Sequence, residues 1–333
     1  VLAAFKDTNE DLVYQKEEYA GYYGSPTVIT LESSKDLHDL NIPLQAPRTL
    51  TLRESPDLSH PASKAKQGFP FARVGIGEVV NLEDSRFTHE NGRMGLWEPL
   101  RFWETVGGGI FFLEPFSKDK TPVLFVHGAG GQPQDWAPIV QKLDRSRFQP
   151  WLVFYPSGLR LNWIAEGLGK ILDEISVKNK FEKLIVIAHS MGGLISRSLL
   201  NHIVERDVHH KDKILFITIS TPWGGHQAAQ IGVAHAPAVI PSWVDMVPNS
   251  PFQQTLFQTP WPNRMKYYLL FSFKGGRNPF TNGNDDGTVS LISQLKPEAQ
   301  ETAVKSFGFN EDHTSILKSS KVSGKINKIL LAF

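Results

Sequence analysis

Leu184-Ile-Val-Ile-Ala-His-Ser-Met-Gly-Gly193 decides how this chain is read. Leu184–Ala188 is an uninterrupted apolar, largely β-branched run, as a strand buried on both faces requires. It leads straight into Ser190, after which Leu194, Ile195, Leu199 and Ile203 recur at helical spacing. Ala188-His189-Ser190-Met191-Gly192 follows the G-x-S-x-G pattern of a sharp strand–turn–helix, with Ala188 in place of the first glycine. Small residues there let strand and helix approach closely and hold the serine oxygen clear of the sheet. Ser190 is therefore expected to be a nucleophile, and the alternative is a buried serine at an ordinary strand–helix junction.

Working outward, Val123–Val126, Trp151–Tyr155 and Ile214–Ile219 are further short apolar runs, and Leu161, Ile164, Leu168, Leu172 and Ile175 form a helical stripe between two of them. Strand and helix alternate, which predicts a mostly parallel sheet with helices on both faces. Val123-Leu-Phe-Val-His-Gly-Ala-Gly-Gly131 ends such a strand in a glycine-rich turn. Acyl transfer needs preorganised N–H donors where the oxyanion forms. The expected donors are the amides of Met191 and Ala129, with Gly130 in contact with substrate.

A serine nucleophile needs a base, and the base needs an orienting carboxylate, in the chain order serine, acid, histidine for this kind of turn. His202, His209, His210, His226, His235 and His313 follow Ser190. His313 stands after the short apolar run Val304–Phe309 and is preferred, with His226 as the alternative. Tyr267–Phe273 predicts a strand, and the loop after it offers Asp285 and Asp286. Asp286, directly before Gly287, is preferred. Glu311 and Asp312 are too near His313 in sequence to reach its ring nitrogen easily.

His127-Gly-Ala-Gly130, Ala188–Gly193, Ser220-Thr-Pro-Trp-Gly-Gly225, Asp286-Gly-Thr-Val289 and Asp312-His-Thr314, in this order, resemble the bacterial lipase/carboxylesterase-like branch of the α/β-hydrolase superfamily. The resemblance covers roughly residues 84–333. It implies the α/β-hydrolase fold and hydrolysis of carboxylic esters through an acyl-enzyme, with no metal or organic cofactor in catalysis. A serine nucleophile sets the chain apart from the haloalkane dehalogenases and epoxide hydrolases, which use aspartate. Cleavage of an amide, thioester or lactone on the same residues is an alternative, as is a non-catalytic binding protein on a hydrolase fold.

Gln227–Pro262 is apolar and too long for a simple connection between strands. It is expected to form a cap, with Trp243 and Met246 lining the substrate site, or else a helical pair packed on the sheet for stability. Trp223, close to the site in sequence, is expected to touch substrate.

Residues 1–82 lack helical periodicity and carry short apolar stretches, Pro26–Leu31 and Val74–Leu82, broken by Pro, Asp and Ser. They predict a β-rich module, similar to a truncated β-sandwich, preceding a catalytic domain over 83–333. Asp7, Asn9, Asp11 and Glu18 hold ligand positions of a calcium loop, but Leu12 stands where its glycine belongs. A structural calcium ion is one reading and a solvated acidic turn the other.

Across the 333 residues the formal net charge is +1, which gives no reason to expect nucleic acid, and the lack of cysteine excludes disulfides, thiolate metal sites and a cysteine nucleophile. No apolar run reaches the length of a membrane span. The expected partner is a small-molecule or lipid-like ester, compatible with association at a membrane surface, in a bacterial exported or cell-envelope protein. Nothing in the sequence specifies an oligomeric state.

Overall fold

The computed structural model describes residues 2–6, 17–23, 42–47, 74–206, 213–275 and 284–333. The chain divides into two compact units, Val1–Pro70 and Phe71–Phe333. In the first unit, β1 (Leu2–Phe5) pairs antiparallel with β2 (Ala20–Tyr23), and Ala20 also bridges Gln45. Much of the expected β-rich module lies outside the described residues, including Pro26–Leu31 and the calcium-loop candidates Asp7, Asn9 and Asp11.

The second unit is built on an eight-stranded sheet. Its strands are β3 (Gly75–Val79), β4 (Gly109–Phe112), β5 (Thr121–Val126) and β6 (Phe148–Phe154), then β7 (Lys183–His189), β8 (Lys213–Ile219), β9 (Met265–Ser272) and β10 (Lys305–Phe309). They lie in the order β10-β9-β8-β7-β5-β6-β4-β3. Neighbours are parallel except β4 and β6. The expected boundary at residue 82 is corrected here: β3 pairs with β4 from Gly75 onward, so Val74–Leu82 supplies an edge strand of this sheet rather than the end of the first unit.

Helices in chain order are α1 (His89–Trp97), α2 (Pro99–Thr105), α3 (Ala137–Val140), α4 (Leu161–Asn179) and α5 (Met191–Glu205). After them come α6 (Gln227–His235), α7 (Pro241–Met246), α8 (Pro251–Thr255), α9 (Leu291–Gln294), α10 (Pro297–Thr302) and α11 (Ser320–Leu331). Alternation along the central strands sorts the core into two layers, because successive side chains point to opposite faces. Leu184, Val186 and Ala188 of β7 pack with Leu168 and Leu172 of α4 and with Leu194 and Leu199 of α5. Ile185 and Ile187 pack with Phe102 of α2, Ile139 of α3, and Val322 and Ile326 of α11. The unbroken apolar runs of β5, β7 and β8 follow from this: each feeds both layers at once.

Candidate active site

The parallel order brings the ends of β5, β7, β8, β9 and β10 to one edge of the sheet, where ligands bind in open parallel sheets. At the end of β7 the backbone turns through Ser190 with φ 53 and ψ −130 and enters α5. That region of dihedral space is strained for any residue with a side chain. The turn is held by the Ser190 N–H, which donates to the Ile219 carbonyl at 2.8 Å on the neighbouring strand. A Cβ at Gly192 would strike the carbonyl oxygens of Val126 and His127, so β5 and α5 close on each other only with glycine there.

His313 Nε2 lies 2.9 Å from Ser190 Oγ, and His313 Nδ1 lies 2.8 Å from Asp286 Oδ2. The His313 main-chain N–H also donates to the Asp286 carbonyl at 2.9 Å, so backbone as well as side chain ties the two loops together. Asp312 braces the histidine loop by accepting from the amides of Ser315 (2.8 Å) and Thr314 (3.0 Å), which hold its carboxyl down to about 2. Asp286 is fully buried. Burial raises its pKa, but hydrogen bonds from His313 Nδ1, Ser272 Oγ (2.7 Å) and Val289 N–H (2.7 Å) outweigh that and keep the carboxyl below its usual value. Asp285 is turned the other way, its Oδ1 accepting from the Gly287 amide at 2.8 Å. His226 caps α6, its Nδ1 accepting from the Ala228 amide at 3.1 Å.

On the opposite side of Ser190 runs the glycine-rich loop after β5. The Gly130 amide donates to Ser157 Oγ at 2.8 Å and the Gly131 amide to the Gly128 carbonyl at 3.2 Å. Among the described residues, the Ala129 and Met191 amides have no such acceptor. Tyr155 stiffens the loop: its ring stacks on His127 at 4.2 Å and its hydroxyl donates to the His127 carbonyl at 2.5 Å. Helix α1 closes from above, and a Cβ at Gly92 would press on the Gly130 and Gly131 carbonyls at 2.8 and 2.7 Å.

These groups border a cavity of about 630 Å³. Gly128, Ala129, Gly130, Ser190, Met191 and His313 line its floor, with Pro222, Ala229, Trp243 and Met246 forming an apolar wall and His89, Asp135, Thr314 and Lys318 a polar one. Trp243 and Met246, expected from the sequence to face substrate, are on the cavity. Trp223 is not, and this corrects the expectation: it is 1% exposed, its indole packed among Phe216, Phe257 and Tyr267 beneath the turn that carries it. Three contributions were not anticipated. They are α1, His189, whose Nε2–H donates to the His313 carbonyl at 2.8 Å, and Ser272. For His189 the signal was its place beside Ser190; for Ser272, its place at a strand end just before the acid loop. Burial foremost, and then the nearby His313, pushes the His189 pKa down to about 3, so its ring is neutral. Of the expected calcium ligands only Glu18 is described, and it is buried. Among the described residues no group of His, Cys, Asp or Glu is arranged to hold a metal ion, and no helix is long and apolar enough to cross a membrane.

The chain has the α/β-hydrolase fold. Residues 117–250, which carry the glycine-rich loop, the Ser190 turn and much of the apolar wall, match the family described as "Putative serine esterase (DUF676)". The mature lipase BlEst2 of Bacillus licheniformis has a similar structure, with a TM-score of 0.52 at 21% identity over 67% of this chain and 97% of that one. The propeptide form of the same lipase gives a TM-score of 0.55 at 20% identity over 67% of this chain and 53% of that one. These likenesses show the fold. Among curated proteins, none matches the chain.

Proposed function

We propose that the protein hydrolyses carboxylic esters through an acyl-enzyme on Ser190, with His313 as general base and Asp286 as the acid that orients it. The observation that carries this is the unbroken hydrogen-bond chain from Ser190 Oγ through His313 to Asp286, at 2.9 and 2.8 Å, opening on a cavity. His313 Nε2 takes the proton of Ser190 as its oxygen attacks the carbonyl carbon. Asp286 keeps the other ring proton on Nδ1 and stabilises the imidazolium. The Ala129 and Met191 amides receive the oxyanion. His313 then protonates the departing alcohol, and a water activated by the same ring releases the acid. Apart from that water, the groups these steps use are side chains and main-chain amides of this chain.

Gln227–Pro262 acts in this reading as the cap that shapes the acyl side, with Trp243 and Met246 as its contact residues. The family match over 117–250 supports ester bonds over amide, thioester or lactone bonds. A lipid-like ester suits the apolar wall, and the export expected from the sequence would bring such a substrate within reach. The test is labelling by a fluorophosphonate together with hydrolysis of a short-to-long nitrophenyl ester series. Labelling at Ser190, and loss of at least about 10⁴ in turnover in Ser190→Ala, are expected. An unlabelled wild-type protein, or a Ser190→Ala variant of near-normal activity, overturns the reading.

A further inference from the structure

We propose that Ser272 is a positioning residue for this reaction: through Asp286 it fixes where the carboxylate stands and limits how strongly that carboxylate binds the ring of His313. The proposal rests on the roles given above to Ser190, His313 and Asp286.

Ser272 ends β9, is fully buried and is absent from the cavity lining. Its Oγ lies 2.7 Å from Asp286 Oδ2, the same oxygen that His313 Nδ1 approaches to 2.8 Å. Ser220 Oγ lies 2.6 Å from Ser272 Oγ. A hydroxyl has one proton and a carboxylate none, so the directions are forced. Ser272 donates to Asp286, and Ser220 donates to Ser272. Ser190, His313, Ser272 and Ser220 thus all send their protons toward one buried carboxylate, from two sides.

The placement of Ser272 is itself enforced. Gln294, 1% exposed, brackets its backbone: the side-chain oxygen accepts the Ser272 N–H at 3.0 Å and the side-chain nitrogen donates to the Ser272 carbonyl at 3.0 Å. The same nitrogen reaches the Val289 carbonyl at 3.2 Å, so one side chain spans the strand end and the acid loop. Ser220 is held with φ 52, its amide bonded to the Leu270 carbonyl at 2.9 Å. A serine that only filled core space would need neither the bracket nor a strained neighbour.

Removing the Ser272 hydroxyl leaves Oδ2 to His313 alone. The carboxylate becomes more basic and holds the imidazolium more tightly, so the base is freed only at higher pH. It also gains freedom to turn, so the ring is aimed less often at Ser190. Among the described residues the other ionisable groups near the pair are His189 at the end of β7, His226 at the start of α6, Asp285 on the acid loop and Asp312 on the histidine loop.

The experiment compares the pH profiles of kcat and kcat/KM for wild type, Ser272→Ala, Ser272→Thr and Ser220→Ala on one nitrophenyl ester. The rate of fluorophosphonate labelling and the melting temperature are measured alongside. Ser272→Ala is expected to lower kcat about tenfold with KM unchanged, and to move the acidic limb of kcat/KM upward by about half a pH unit. Ser272→Thr restores both, and Ser220→Ala moves the limb the same way by less. An unmoved limb in Ser272→Ala overturns the proposal. If Ser272→Ala does not fold, Ser220→Ala carries the test, and an unmoved limb there overturns it equally. Failure of the wild-type protein to label at Ser190 condemns the proposed function instead, which separates the two.

Discussion

Ser190 carries two demands at once, an exposed oxygen and a backbone conformation that no side chain favours. Its φ of 53 and ψ of −130 lie where glycine alone is at ease. A strained position of this kind costs about 1–3 kcal/mol. Ser190→Gly should therefore melt higher than Ser190→Ala, with neither hydrolysing ester. The comparison needs only thermal unfolding of the two variants, and equal melting temperatures would mean the turn stores no strain. The serine was legible in the sequence because the small residues its turn demands, Ala188, Gly192 and Gly193, stand beside it, although the strands they close against lie elsewhere. His313 and Asp286 were legible from their places after strands. Ser272 was not, because nothing in Phe271-Ser-Phe273 distinguishes a strand-end serine that feeds a carboxylate from one that fills space. Trp223 misled for a related reason: proximity along the chain says nothing of which side of a turn an indole takes.

At the scale of elements, the apolar wall is fastened rather than hinged. Asp245 of α7 is 1% exposed and accepts from the Leu161 amide at 2.7 Å, at the N-terminus of α4. It also binds Arg160 through Nη2 at 2.6 Å and Nε at 3.0 Å. Ser250 Oγ donates to the Asp245 carbonyl at 2.7 Å, turning the chain into α8. Trp243 and Met246 flank this anchor on the same short helix. Asp245→Ala leaves a buried amide without its acceptor, at a cost of about 2 kcal/mol. The expected result is a lower melting temperature and a KM raised several-fold for long-chain esters, with kcat on the shortest ester little changed. Equal KM across the series would show that the wall stands without the anchor. The apolar pattern of 227–262 announced a wall, but the anchor joins Leu161 and Asp245, 84 residues apart, a pairing no local pattern encodes. Placing β3 fails in the sequence for the same reason. A short strand such as Gly75-Ile-Gly-Glu-Val79 looks alike whether it closes one unit or opens the next.

At the scale of the whole molecule, two buried histidines among the described residues are expected to contribute to the response to acid. Burial drives the His127 pKa from 6.5 to about 4 and that of His189 to about 3, so the fold holds both rings neutral. Unfolded, each takes up a proton near 6.5. Their contribution is complete above that pH and is lost as the pH falls toward the folded values, because the unfolded chain then binds protons the folded one refuses. Stability should decline from pH 6.5 downward, by on the order of 2 kcal/mol per histidine at pH 5. Urea midpoints between pH 7.5 and 4.5 measure it. His127→Asn, which keeps a donor for the Gly128 carbonyl, should flatten the slope; an unchanged slope would place the acid sensitivity elsewhere.

The separation of 123 residues between Ser190 and His313 has a further meaning in time. A ribosome finishes the nucleophile long before the base, and β10, the edge strand that delivers the histidine loop, is the last of the sheet to emerge. A growing chain should thus display Ser190 before the base proposed to activate it exists. Chains halted at Phe309 should take up no phosphonate, whereas chains that run through Phe333 should. The proposed nucleophile would become reactive only once the strand and loop that carry His313 have been made.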